Sequence, residues 1–372
     1  MSVLADPSCV DDEALRADRR SRLFAAMARD SLDALVLGRP AEVAFASGAR
    51  QLWTAGSRPF GPACVAVRAT GRVHLLSVSD FDVPPEVGHD DLYGLSWNPA
   101  NLAAALTAIP GLADAQRVGT TSSSPGLPRL LAAAAPRAEF VDGSGALWAA
   151  RSPKSPSEVD RIVAACGIAR AGLAAMEAVL APGVTERDLL AAYLAAIAAA
   201  GAPTPPSEGV ACATPTYGPV ALRRIAGREP IEAGQLVALD AGGFFRGYEG
   251  GLGRTRAAGG TPSLHQAELA ARGRAAVEAV IATCWAGATG SSLLEAWAST
   301  GEPLPPEPLA VGVGLGLEPP VIGSGLGAGT VLAPGTVLAV TGWVAEEGIG
   351  GVLERDLVLV TDGEPRRLTE DT

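Results

Sequence analysis

Histidine is scarce. His74, His89 and His265 are the only three in 372 residues, and none falls in a motif that could carry chemistry, so catalysis by imidazole has little to draw on. Cysteine is no richer in signal. Residues 9, 64, 166, 212 and 284 are odd in number, widely spaced and never in a CxxC pair, which argues against a disulfide framework and a zinc knuckle and leaves buried, small apolar side chains. Basic runs and basic helical faces are absent as well. With 40 acidic against 29 basic residues the net charge is −11, so neither a nucleic-acid partner nor an anionic membrane surface is expected. The start, MSVLADPSCVDDEALRADRR, holds no apolar core behind a positive flank, and no segment of about 18 residues is apolar without Gly, Pro or charge. A soluble, cytoplasmic protein is the expectation.

The length accommodates two domains. In residues 1–150, a helical pattern over Arg19–Arg29 leads into LDALVLG and AEVAFASG, both read as strands. CVAVRA and RVHLLSV are further strands, and NLAAALTAI and LPRLLAAAA are helices. Alternating strands and helices make this an α/β domain. In ARSPKSPSEVD two prolines break the structure, Ser157 is placed to cap the next helix, and Glu158 and Asp160 suit its first turn. A second domain, residues 151–372, opens there with two Ala-rich packing helices and Gly201 as a stop. Beyond residue 207 the pattern changes to short strands (GVACAT, QLVALDAGG, GYEGGLGRTRAAG, GTVLAVTGWV, GVLERDLVLVT) with helices at HQAELAARGRAAVEAVIATCWA and SSLLEAWAS. That is an α+β arrangement with helices outside a curved antiparallel sheet.

Four ordered stretches carry a family resemblance: RSPKSPSEVDRIVAAC, LVALDAGGFFRGYEGGLGRT, VGVGLGLEPPVIG, and the pair APGTVLAVTGWV and VLERDLVLVTDGEPRRLT. Together they resemble the creatinase/Xaa-Pro aminopeptidase/prolidase/methionine aminopeptidase superfamily, and RLFAAMARDSLDALVLGRPAEVAFASG is similar to its smaller N-terminal domain. The resemblance implies a pita-bread C-terminal domain preceded by a creatinase-type α/β domain. It also implies, for peptidase members, a metal pair held by two Asp of the hairpin, one His and two Glu. Carried onto this chain, only the first Asp survives, as Asp240; the other positions fall on Gly251, Val311, Thr341 and Arg355. A cation in place of a ligand both removes a donor and repels the ions. No metal and no other cofactor is therefore expected.

Creatinase is a metal-free member of the same fold, and Glu354 resembles the carboxylate that serves its substrate. Its second catalytic Glu corresponds here to Gly253, and its His has no counterpart at Thr216 or Tyr217. Period-two alternation supplies another acid, because Glu249 shares a face with residues 251, 253 and 255. A solvent-facing Glu beside glycines that admit close backbone packing is the competing reading. Asp240 is either a site acid or a structural partner of Arg254, and Arg355 either neutralises these acids or binds a substrate carboxylate. Tyr248, Glu318, Thr341 and Trp343 complete the expected pocket, with Glu318 also readable as wall structure and Trp343 as core. By the resemblance, the loop holding Arg50, Trp53, Arg58 and Phe60 would reach the site of a partner subunit in a homodimer. The expected function is a metal-independent, creatinase-like enzyme acting on a small polar substrate by C–N bond hydrolysis or a related elimination or rearrangement, with Glu249, Glu354 and Asp240 as acid–base groups and Arg355 or Arg254 positioning an anionic group. The alternatives are a non-catalytic domain that binds peptide or protein, and a residual Xaa-Pro aminopeptidase.

Overall fold

A computed structural model describes residues 12–49, 64–77, 80, 82–94, 98–121, 126–202, 204–206, 209–215 and 217–370. Two compact units divide the chain, Met1–Arg151 and Ser152–Thr372.

The first unit runs α1 (Asp12–Arg29), β1 (Ala34–Leu37), α2 (Pro40–Ser47), β2 (Cys64–Val67), β3 (Arg72–Ser77), β4 (Leu92–Gly94), α3 (Pro99–Ala108), β5 (Arg117–Thr120), α4 (Leu127–Ala134), β6 (Glu139–Asp142) and α5 (Ser144–Arg151). Its described strands form one mixed sheet in the order β4-β3-β2-β1-β5-β6. Central β1 pairs antiparallel with β2 and parallel with β5. Val36, Val65, Leu106, Val118 and Leu131 build its core.

AEVAFASG is helical, contrary to the strand expected from its apolar run. Pro40 sits at the first turn, the Glu42 carboxylate accepts from the Gly38 and Arg39 amides at 3.2 and 3.1 Å, and Gly48 ends the helix in the left-handed region at φ 80°. A short apolar run carries no period of its own, so the caps decide. His74 is fully buried in β3, its Nδ1 3.0 Å from Asp91 Oδ1, as a core residue. Arg50, Trp53, Arg58 and Phe60 lie outside the described residues.

The second unit begins with α6 (Pro156–Val179) and α7 (Glu186–Ala199). Ser155, and not Ser157, caps α6: with Pro156 at the first position, Ser155 and Glu158 form a reciprocal capping box. Next come β7 (Val210–Ala213), β8 (Leu236–Phe245), β9 (Tyr248–Ala257), α8 (Leu264–Ile281), α9 (Gly290–Ala298), β10 (Ala310–Gly314), β11 (Gly316–Ile322), β12 (Val337–Glu346), β13 (Gly350–Leu359) and β14 (Arg366–Arg367). The sheet order is β11-β10-β12-β13-β9-β8-β7, with β14 also on β13, and every pair is antiparallel. The architecture is thus an α+β pita-bread domain.

All the helices lie against one face of this sheet. α6 and α7 bury Ile168, Met176 and Tyr193 on Leu239, Ala241 and Leu252. α8 and α9 bury Leu269, Val277 and Trp297 on Val340, Val344 and Val352. α6 is long and apolar enough to cross a membrane by length and composition alone, yet it is a packing helix of this core. Among the described residues the opposite face carries a small cluster, Val210, Cys212, Ala238, Trp343 and Leu353, with Val220 and Leu222 of the β7–β8 connection packed on it. A sheet covered on one side leaves its other side to hold a site.

Candidate active site

The β8/β9 hairpin closes through Arg246 and Gly247, at φ 50° and 85°. Two left-handed residues make the tight turn whose twist suits the flanking strands. Its register pairs Asp240 with Gly253, Gly242 with Gly251 and Phe244 with Glu249. β13 joins with Arg355 opposite Gly253, and β12 with Thr341 opposite Arg355. Directly opposed residues and their second neighbours point to the same side. Asp240, Glu249, Arg355 and Thr341 therefore share the helix-free face, and Val311, opposite Ala339, lies on it too. Pro206 packs against the bare Gly242 backbone beside them, and Trp343 and Leu353 form the apolar flank.

The ionisable groups at the centre are two carboxyls, Asp240 and Glu249, and one guanidinium, Arg355. Arg355 Nη1 donates to both oxygens of Asp240, at 2.9 and 3.3 Å. Burial alone lowers the arginine's proton affinity, but Asp240 and Glu249 outweigh it and hold the guanidinium charged. Its Nε is buried and has no hydrogen-bond partner among the described residues. Glu249 is 4% exposed. Desolvation pushes its carboxyl up to about 7, opposed by Arg355 and reinforced by Asp240. A carboxyl poised there exchanges a proton at neutral pH, the condition for general acid–base work. Thr341 is buried on the same face.

Several expected site residues lie elsewhere. Glu354 and Arg254 are displaced one position from Arg355 and Gly253, so they point to the helix side. There Arg254 binds Asp356 at 2.7 Å and lies 3.6 Å from Glu354. Asp240 accordingly pairs with Arg355 and not with Arg254. Burial raises the Glu354 carboxyl, while Arg254 and Arg274 lower it. Tyr248 also faces the helices, fully buried, and its hydroxyl donates to Glu158 Oε1 at 2.8 Å. Glu318 on β11 is joined to Lys154 in a buried ion pair, and Lys154 also donates to the Ser152 carbonyl at 2.8 Å. Sequence reasoning gave no sign of Lys154 or of Tyr193, whose hydroxyl donates to the Gly242 carbonyl at 2.7 Å. A lone large side chain in an Ala-rich helix was the available signal for Tyr193. A recess of about 360 Å³ lined by Lys154, Asp160, Thr361, Asp362 and Arg366 contains none of the Asp240, Glu249 and Arg355 group.

Residues 160–362 match metallopeptidase family M24, and residues 19–152 match the creatinase/prolidase N-terminal domain. The chain belongs to metallopeptidase family M24. Among solved structures, this family member is similar to a prolidase from Pyrococcus horikoshii (22% identity over 95% of this chain and 99% of that one, TM-score 0.78). It is also similar to an Xaa-Pro dipeptidase from Bacillus anthracis (21% identity, 96% and 98%, TM-score 0.78) and an X-Pro aminopeptidase from Thermotoga maritima (16% identity, 95% and 98%, TM-score 0.75). At these identities the likeness is one of fold. No curated protein matches the chain.

The family's name implies a divalent metal, and the residues here do not fit one. At the five positions to which the resemblance assigns ligands, one carboxylate remains, and it is paired to a guanidinium standing at another of those positions. Gly251, Val311 and Thr341 offer no carboxylate or imidazole donor. Among the described residues no group of three or more His, Cys, Asp and Glu could hold an ion.

Proposed function

We propose that this M24 member is a soluble, cytoplasmic, metal-independent hydrolase that cleaves a C–N bond in a small polar substrate or short peptide, and that it works as a homodimer. The observation that carries the reading is Glu249, an acid buried on the helix-free face, titrating near neutrality beside a charged Arg355–Asp240 pair. In this reading, ionised Glu249 takes a proton from water as its oxygen bonds to the substrate carbon. The C–N bond then breaks, and Glu249 returns the proton to the leaving nitrogen. Arg355 positions an anionic group of the substrate, and Asp240 holds the arginine in place.

One observation favours a second reading, a non-catalytic domain that binds peptide. Glu354, the expected second acid, is on the other side of the sheet in contact with Arg254, so among the described residues on the helix-free face Glu249 is the carboxyl left for proton transfer beside the ion-paired Asp240. The test is a turnover screen of chelator-dialysed protein across Xaa-Pro dipeptides, guanidino acids such as creatine and cyclic amidines such as ectoine, with Glu249→Gln alongside. The hydrolase reading expects turnover that survives chelation and falls about 10²- to 10⁴-fold in the variant. Turnover restored only by added divalent metal would sink it; binding without turnover in either protein supports the second reading.

A further inference from the structure

The guanidinium of Arg355 uses one nitrogen for Asp240 and keeps the rest of its donor edge. Nη1 meets both carboxylate oxygens, whereas buried Nε meets no acceptor among the described residues. A buried charged donor without an acceptor is costly, and such a group marks a place where a ligand supplies the missing partner. The space beside it is equally specific. A Cβ built on Gly251 would lie 3.9 Å from Arg355 Cζ and no closer than 3.4 Å to any other atom outside its own neighbours, the nearest being the Ala241 carbonyl oxygen. The glycine is thus bare where a Cβ fits, and that Cβ would lie over the guanidinium carbon, leaving the Nε–H edge uncovered from this strand. Pro206 against Gly242 closes one side, and Glu249, buried on the same strand face, stands one pleat from Gly251.

We propose that the unpartnered Nε edge of Arg355, with the bare backbone of Gly251 beside the guanidinium, is a carboxylate-binding subsite, in which a substrate carboxylate accepts from that edge and lies beside Glu249. Because a planar guanidinium edge matches two coplanar carboxylate oxygens better than a tetrahedral oxyanion, the class selected is a carboxylic acid and not a phosphate or sulfate ester. The charges already present sharpen this choice: Asp240 offsets one unit of the guanidinium's charge, so each further negative charge on a ligand is repelled by Asp240 and, when it is ionised, by Glu249. The subsite rests on the hydrolase reading only in naming that enzyme's substrate class; its occupancy is a binding property and is measured without turnover.

The experiment is calorimetric or ligand-detected NMR titration of the full chain with N-acetylglycine, its neutral primary amide and inorganic phosphate. The variants are Gly251→Asp and Gly251→Ala. Gly251→Asp places a carboxylate beside the guanidinium to compete with a ligand for it, at a site with ordinary backbone and room for a Cβ. N-acetylglycine is expected to bind the wild type, to weaken a few-fold in Gly251→Ala and to weaken tenfold or more in Gly251→Asp, with circular dichroism of both variants matching the wild type. The amide and phosphate are expected to bind at least tenfold more weakly than N-acetylglycine. Equal affinity of the wild type and Gly251→Asp for N-acetylglycine overturns the proposal, as does equal or tighter binding of phosphate or of the amide. Carboxylate binding lost in Gly251→Asp with no turnover of any substrate would leave the subsite standing and remove the hydrolase reading. Turnover of amides without a carboxylate at undiminished kcat/KM would do the reverse.

Discussion

A carboxyl that titrates near neutrality inside a protein couples folding to pH. Glu249 has its pKa pushed from 4.5 up to about 7 by burial, and the charged and titratable groups acting on it or on which it acts are Arg355, Asp240 and the Tyr193 phenol. Between those two pH values the folded chain binds a proton that the unfolded chain has released. Stability from this residue is therefore complete below about pH 4.5 and declines as pH rises to about 7, a loss on the order of 3 kcal/mol. Glu249→Gln removes the dependence. Urea unfolding is expected to find variant and wild type alike near pH 5 and the variant more stable at pH 8; parallel profiles for the two proteins would contradict the assignment. From the sequence, strand alternation put this acid on the face of residue 251 and left a solvent-facing Glu as the competing reading; the two-residue turn keeps that register and the side chain is 4% exposed. The same alternation puts Glu354 opposite to Arg355. There the likeness to creatinase, and not the residues themselves, placed the second acid in the pocket.

At the scale of elements, adjacent glycines of β9 do opposite things. Gly250 lies on the helix side, where a Cβ would come within 2.3 Å of the Cys166 amide nitrogen and 2.4 Å of the Ala165 carbonyl carbon. α6 can approach the hairpin that closely only over a bare backbone. Gly250→Ala is expected to lower stability by roughly 1–3 kcal/mol, and Gly251→Ala, with room around it, to change it by less than about 0.5 kcal/mol. Equal losses in chemical denaturation would show that the helix does not sit as described. In the second unit β7, β8, β9, β12 and β13 were readable as short apolar runs bounded by glycine, whereas β10, β11 and β14, short and rich in Gly, Pro or Arg, were not read as strands. α2 was not, since eight residues without a period are decided by Pro40, Glu42 and Gly48 at their ends. The Ser155–Glu158 capping box was present in the sequence, masked by a second serine two residues on. The Lys154–Glu318 pair spans 164 residues, and no local pattern announces a contact of that separation.

For the whole molecule, the family's fold is retained, while the positions to which the resemblance assigns metal ligands hold Asp240, Gly251, Val311, Thr341 and Arg355. A protein that binds an ion only when folded is stabilised by it, by about 2.7 kcal/mol at a hundredfold excess over Kd. This chain is expected to show the same melting temperature in chelator, in buffer and in millimolar manganese, and to carry no stoichiometric metal by elemental analysis. A rise of several degrees with manganese would contradict the charge balance drawn from Arg355 and Asp240. That balance also has a pharmacological meaning. On the proposed reading, compounds that disable metallopeptidases by seizing their ions, such as hydroxamates, would find no ion to seize beside a cation that is bonded covalently into the chain, cannot be diluted away and does not vary with the cell's supply of metal. An inhibitor of this chain would instead have to compete for an arginine.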